Sequence, residues 1–509
     1  MTPTRIVDKN SFFAGSAMHN NVIHHQSNPP IAGSLPIELG RTLTVIKGQN
    51  GMAYVVFEHD NQNPVAHKIG SKSFNNLIRL LYSTGGKLLK SQEIKDITDH
   101  LSAHADFSGE EKNVWTRVAP IPNGIEIDVC DVNNTRIQVT DEGIKLINKG
   151  SKTIFTPNPL AKPMAIPAKE GDLNLLKKYT NLHDVDHMLF VAWLSYTLAH
   201  PKTSSSKFVI LALLGDQGTG KSLISRHLIN AWIDPCKIDL QKIPTNAKDL
   251  AVAAQFSHVL CFDNVRHISQ QMSDTFCIAS TGGGISGRAL YTDDTQHVNQ
   301  IHVALALNGI HSFINQSDLA QRCLTLRTRP INEDNRKSEA VMQQDFDSEL
   351  PKILRGLLDL IVGVFKELPT VTASHPERMI DFVYWLAAME KVQGVPAGVY
   401  QSVYSEKMND DQLETLMDNT LAARVVEFSE TSTGQKWEGT PAELLVQLET
   451  SVSTRIVNSK DWPRNAIALS KRLQSLKASL KSQGICVELS RGKHRLITIQ
   501  SQGVSNAQY

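Results

Sequence analysis

The stretch "LALLGDQGTGKSLIS", Leu211 to Ser225, decides how the chain is read. An apolar run enters a glycine-rich turn and leaves it into a segment with helical periodicity. Gly215-Asp216-Gln217-Gly218-Thr219-Gly220-Lys221-Ser222 fits the pattern G-x-x-x-x-G-K-[ST]. In such a loop the glycines let the backbone curl until its N–H groups point at a β-phosphate. The lysine reaches the β and γ oxygens, and the hydroxyl ligates Mg²⁺. Residues 215–222 are therefore expected to bind ATP, with Lys221 as the catalytic cation and Ser222 as a metal ligand. The competing reading is a chance match in a chain with 30 glycines. The flanks argue against it: "FVILALL" has the uniform apolarity of a buried parallel strand, and "SLISRHLINAW" sets Ile224, Leu228 and Trp232 on one helical face.

Downstream, strands and helices alternate. "KIDL", "HVLCF", "IHVALAL" and "CLTLR" read as strands, separated by the helical "NAKDLAVAAQ" and "SQQMSDTFCIAS". With "FVILALL" they predict five strands in a parallel α/β sheet. Asp263 ends an apolar strand 41 residues after Ser222, the place for an aspartate that organises Mg²⁺. Its alternative is a strand-end capping role. Asn264 follows; it can orient water but cannot accept its proton. Asn308 closes another apolar strand, where an amide points into the crevice at the carboxyl ends of a sheet or simply makes an Asn-Gly turn. Arg322 precedes "CLTLR" and is either a surface arginine or one that stabilises transition-state charge.

The run "FDNVRHISQQMSDTFCIASTGGGISGRALYTDD", with "LALNGI" and "DLAQRCL", resembles one group of AAA+ ATPases. These are helicase-like replication proteins of phages, phage satellites and integrated mobile elements, akin to superfamily 3 and minichromosome-maintenance helicases. The resemblance covers most of the chain and is strongest from Lys207 to Pro330; "TGGG…R-x-LYTDD" is its specific part. Asp-Asn at 263–264 departs from the usual Asp-Glu and puts the water-activating residue in doubt. The resemblance implies a homo-oligomeric ring, a hexamer, that moves along DNA, with Arg322 acting on a neighbour's nucleotide. It also implies that the hairpin "TGGGISGRALYTDDTQHVNQ" lines the channel, where Arg288 would contact phosphate and Tyr291 would stack on bases. The plainer reading makes Tyr291 core and pairs Arg288 with Asp293 or Asp294.

The flanks complete a multidomain expectation. Residues 1–36 read as a disordered tail and 37–161 as an α+β N-terminal domain, a collar or a DNA-binding unit. In "GIEIDV", Glu126 and Asp128 share one strand face; they are a possible metal pair or the solvated face of a half-buried strand. Residues 162–206 are a Pro-rich linker and a helix, 207–330 the α/β P-loop ATPase core, and 331–425 a helical lid, with Arg336 or Lys337 a candidate nucleotide sensor. Residues 426–500 read as a winged helix. Thr440 caps "PAELLVQL" with Glu443 closing the box. "WPRNAIALSKRLQSLKASLKSQG" carries Ile467, Leu469, Leu473, Leu476 and Leu480 on its apolar side. Its Lys471 and Arg472, with Arg491, Lys493 and Arg495 at the hairpin tip, would meet DNA. A protein-docking winged helix is the alternative. Residues 501–509 form a tail.

Net charge is +1, yet residues 401–450 hold ten acidic against three basic groups and 455–499 hold ten basic against two acidic. The last segment is thus suited to an anionic partner. Six scattered cysteines with no C-x-x-C speak against zinc and against a disulfide framework. The apolar runs fall far short of the ~20 residues of a membrane span, and the N-terminus has no signal-peptide core, so a cytoplasmic protein is expected. The leading reading is an ATP-dependent DNA helicase or translocase in replication initiation of a mobile element. The alternative is a DNA-bound ATP switch or defence-type regulator without unwinding activity.

Overall fold

The computed structural model describes residues 43–58, 62–84, 86–288, 296–331, 338–375, 377–431, 436–450, 452–459, 462–490 and 495–501. The expected tail at 1–36 lies outside these residues, as do Tyr291, Arg336, Lys337, Arg491 and Lys493; of the expected tail at 501–509 only Ser501 is described, and it ends a β-strand.

Among the described residues, the N-terminal third holds ten strands in two sheets. β1 (Thr44–Gly48), β2 (Ala53–Phe57), β3 (Val65–Lys68), β4 (Glu110–Lys112), β5 (Val114–Trp115) and β10 (Ile154–Phe155) form one, in the order β4-β1-β2-β3-β10-β5. Helices α1 (Lys72–Thr84) and α2 (Ser91–Ser108) pack on it. The buried stripe of α1 is Phe74, Ile78, Leu81 and Tyr82, and Leu80 is exposed. The second sheet is an antiparallel meander of β6 (Val118–Ile121), β7 (Gly124–Asp128), β8 (Arg136–Thr140) and β9 (Gly143–Ile147). Sequence alternation suggests one self-contained unit over 37–161. In the structure Val118, Ile125, Ile127, Val129, Ile137 and Val139 instead join the largest core, shared with residues beyond 180. The alternation shows which residues are buried, but not against what.

The central sheet is parallel, β12-β15-β11-β16, from β11 (Ile210–Leu214), β12 (Val259–Phe262), β15 (Ala304–Gly309) and β16 (Cys323–Arg327). Every residue of β11 and β12 is buried because both faces are covered. The period of two divides them: Leu211, Leu213, Val259 and Cys261 face one core, and Ile210, Ala212, Leu214, Leu260 and Phe262 the other. "KIDL" does not form the expected fifth strand. Only Gln241 reaches the sheet, bridging in parallel to Phe262. Its N–H donates to Cys261 O at 3.0 Å, and its carbonyl accepts from Asp263 N at 2.9 Å. The segment lies between Pro235 and Pro244, and its Ile238 is exposed, so nothing holds a longer ladder.

Helix α3 (Asp184–Ala199) is buried around almost its whole circumference. On the β11 side of the sheet it packs with α6 (Glu339–Glu367) and α7 (Ile380–Gln393). On the other side lie α4 (Ala247–Phe256) and α5 (Gln270–Thr281), capped by Asn246 and Ser269. The strand pair β13 (Gly283–Arg288) and β14 (Gln296–Ile301) is an antiparallel insertion before β15. Helix α8 (Val399–Met417) leads to α9 (Thr420–Thr431), which crosses the expected boundary at 425/426: Leu416, Leu421 and Val425 share the C-terminal core. That last unit has β17 (Trp437–Gly439), α10 (Pro441–Glu449), α11 (Ala466–Ser482), β18 (Ile485–Leu489) and β19 (Ile497–Ser501), its sheet ordered β17-β19-β18. Thr440 and Glu443 form the capping box. On α11, Leu469, Leu473 and Leu480 are buried, whereas Ile467, assigned to the apolar side, is 72% exposed.

Candidate functional site

The loop 215–222 leaves the end of β11 and enters a helix over Lys221–Leu223. Gly218 and Gly220 take φ of 79° and 86°, a region that costs glycine nothing. At Gly215 a Cβ would fall 2.1 Å from Thr328 Oγ1. Thr328, one residue past β16, also shares a 2.6 Å hydrogen bond with the Thr219 hydroxyl, so the end of β16 braces the loop. Lys221 curls back, its Nζ donating to the carbonyls of Gly215 at 2.8 Å and Asp216 at 2.7 Å. Burial lowers its pKa, and Asp216 and Asp263 partly offset this. Asp216 and Gln217 sit on the exposed rim.

The helix after the loop is not a plain α-helix. Residues Ile224–Ile229 wind as a π-turn before Asn230–Ile233 resumes, a feature common at functional sites. The hydroxyl of Ser225, in that turn, accepts from Asn308 Nδ2 at 3.1 Å, while Asn308 Oδ1 accepts from Asn264 N at 3.0 Å. Asn308 is buried, and its amide ties three elements together. Ser222 Oγ donates to Asp263 Oδ1 at 3.0 Å. Four sequence-nominated residues, Ser222, Asp263, Asn264 and Asn308, thus meet at the carboxyl ends of β11, β12 and β15. Asn264 takes φ 54°, a left-handed conformation that Asn tolerates far better than most residues; its side chain is exposed.

Arg322 stands elsewhere. It lies at the amino end of β16, where Cys323 pairs with Ile210, whereas the loop begins beyond Leu214 at the other end. Its Nη1 bonds Asp318 Oδ2 at 2.8 Å. Sequence reasoning missed Thr328, Ser225, Gln241 and Asp318, whose roles depend on chain segments far away.

Glu126 and Asp128 share a face, and each carboxylate is engaged there by protein donors. Both are buried, which corrects the solvated-face reading. Glu126 accepts from Gln138 Nε2 at 2.7 Å and Ser151 Oγ at 2.5 Å; Asp128 pairs with Arg136 at 2.6 Å. Among the described residues no group of three or more His, Cys, Asp or Glu could hold a metal ion.

Of the expected DNA contacts, Lys471 and Arg495 are exposed and Arg472 is partly so. Arg288 ends β13, but its side chain lies outside the description, as do Tyr291, Arg491 and Lys493. From Arg464 to Gly484 there is no acidic residue. All six cysteines are free thiols. Among the described residues no helix is long and apolar enough to cross a membrane.

A parallel α/β core with a glycine-rich loop, joined to a small basic helix-and-sheet unit, defines a multidomain α/β protein with one site at the strand ends. Residues 173–411 match the family described as actinomycete integrative conjugative element replication protein, and residues 421–507 match its RepA C-terminal domain. The chain belongs to this family of replication proteins. The gap between the two matches falls where α8 gives way to α9. No curated protein matches the chain. Among solved structures, the apo A form of the NrS-1 C terminal region overlaps 94% of this chain and 100% of its own at 12% identity, with a TM-score of 0.37. Another apo structure of that region gives 13% identity, 94% and 100% coverage and a TM-score of 0.36. Overlaps this loose carry no argument.

Proposed function

We propose that this replication protein is an ATP-driven DNA translocase of helicase type, working as a ring of identical subunits. The observation that carries the reading is the convergence of Lys221, Ser222, Asp263 and Asn308 at the carboxyl ends of three parallel strands. The strand order supports it, because β15 lies between β11 and β12, where an open α/β sheet leaves a ligand crevice. Loop amides from Gly215 to Ser222 would cradle the phosphates of ATP, and Lys221 would exchange its two loop carbonyls for phosphate oxygens. Ser222 and Asp263, already 3.0 Å apart, offer the hard oxygen ligands that Mg²⁺ prefers. The ion, when bound, would neutralise charge on the phosphates. Asn264, exposed beside Asp263, would place the attacking water. Asn308 would sense the site through Ser225.

The C-terminal unit supports a winged-helix reading, with α11 presenting Lys471 and Arg472 to a DNA groove and the β18–β19 turn, through Arg491, Lys493 and Arg495, to phosphate. The β13–β14 hairpin, with Arg288 and Tyr291, would meet the strand in the channel.

Two observations favour a slower ATP switch as the second reading: no carboxylate occupies position 264, and Asn308 is engaged at both ends of its amide. Steady-state ATP hydrolysis with and without single-stranded DNA, beside Lys221→Ala, separates the two. DNA-stimulated turnover supports the translocase. Tight ATP binding with turnover no faster than Lys221→Ala refutes it in favour of the switch.

A further inference from the structure

We infer that Asn308 and Ser225 are positioning residues that act through Asn264. Together they hold the backbone of Asn264 left-handed, so that its side chain stands exposed at the strand ends, where the attacking water would be placed. The inference rests on the ATPase reading above and names two residues that set that water without touching it.

Asn308 is 1% exposed. Its Oδ1 accepts from Asn264 N at 3.0 Å, and its Nδ2 donates to Ser225 Oγ at 3.1 Å. A backbone N–H can only donate, so the oxygen must face Asn264 and the nitrogen Ser225. An amide buried and committed in this way serves its own chain. The exposed amide beside Asp263 is that of Asn264.

The grip is double. Asn308 O accepts from Val265 N at 2.8 Å, so one residue takes two consecutive amides. In an extended strand successive N–H groups point to opposite sides. The φ of 54° at Asn264 turns both toward β15. Gly309 permits the approach, since a Cβ there would fall 2.6 Å from Val265 O. Asn308 and Gly309 both belong to β15. The Asn-Gly pair is therefore a template for the bend after β12, Asn308 through its bonds and Gly309 through its missing side chain. Asp263 N is held apart from this grip, by Gln241 O at 2.9 Å, so the bend begins at Asn264.

Ser225 fixes the other end. It is 1% exposed and lies in the π-turn. Its carbonyl accepts from Asn230 N, five residues on, and from Asn230 Nδ2 at 3.3 Å. The wide turn after the phosphate loop and the bend after Asp263 are thus joined through one side-chain amide.

The test is a double-mutant cycle on steady-state ATP hydrolysis with Asn308→Ala, Ser225→Ala and Asn264→Gly. Glycine at 264 keeps the left-handed bend and removes only the side chain. Asn308→Ala and Asn264→Gly should each lower kcat at least about tenfold, with the KM for ATP within about twofold of wild type, because the loop and Lys221 are untouched. Combined, they should match the slower single variant within about twofold, since residues that act as a unit are not additive. Ser225→Ala should lose about three- to tenfold alone and nothing further in the Asn264→Gly chain. It leaves the grip on Val265 intact, and so decides the matter where Asn308→Ala does not fold. Full activity in the single variants, losses that multiply, or a raised KM at unchanged kcat overturn the inference alone, because Asn308 and Ser225 would then act independently of Asn264. A wild-type chain without turnover overturns the ATPase reading and takes this inference with it.

Discussion

Replacing Arg117 by methionine removes a cation from the dry centre of the molecule. Arg117 and Asp234 are 2% and 3% exposed and meet at 2.9 Å. The guanidinium also donates to the carbonyls of Asp128 at 2.8 Å and Pro235 at 3.1 Å, while the second oxygen of Asp234 accepts from His258 N at 2.6 Å. Asp234 ends the helix that began at the phosphate loop, His258 precedes β12, and Arg117 precedes β6. One ion pair therefore joins the N-terminal meander to both halves of the candidate site. Methionine fills much of the volume but leaves the buried Asp234 carboxyl without the guanidinium that pairs with it. Breaking a buried pair from one side costs about 3–5 kcal/mol. Urea unfolding followed by tryptophan fluorescence reads this directly, since Trp193 and Trp232 lie in the same core. The double variant Arg117→Met/Asp234→Leu should cost less than the sum of the two singles, by at least about 2 kcal/mol. A single-variant loss below about 1 kcal/mol, or simple additivity, would refute the claim that the pair is a tight, desolvated joint.

Stability should fall as the solution is acidified from pH 6.5 toward 4. Burial depresses His187, His200, His258 and His302 to about 4, so the unfolded chain takes up protons that the folded chain refuses, and stability present above 6.5 is lost on the way down. A melting temperature unchanged between pH 7 and pH 5 would contradict this. Gly215→Ala should weaken ATP binding at least about tenfold, because the added methyl collides with Thr328; Thr328→Ser should not relieve it, since the hydroxyl remains, and calorimetric titration of both would show this. Alkylation of the native chain should begin at Cys486: Cys261 and Cys323 are buried with raised pKa values, and burial pushes Cys130 up to about 12. Peptide mass spectrometry that finds Cys261 or Cys323 modified first would exclude the described packing.

The parts legible in the sequence were those whose physics is local. A parallel strand buried on both faces has to be apolar throughout, so β11, β12, β15 and β16 stand out as runs. A loop that turns its amides on phosphate needs its glycines at fixed spacing. The α10 cap needs only Thr440 and Glu443. The misread parts depend on what a residue meets far along the chain. Ile467 has the period of a core position, but α11 turns it outward. "KIDL" has strand-like residues but no ladder beyond Gln241. Glu126 and Asp128 are the instructive case. Alternation places them correctly on one face, and the usual inference makes that face wet. Yet the hairpin register sets Glu126 opposite Gln138 and Asp128 opposite Arg136, so each carboxylate finds its partner on the adjacent strand and the face can be buried. That register was within reach: pairing "GIEID" with "RIQVT" antiparallel so that the isoleucines coincide puts Asp opposite Arg. A carboxylate's environment should therefore be judged only after its cross-strand neighbour is named.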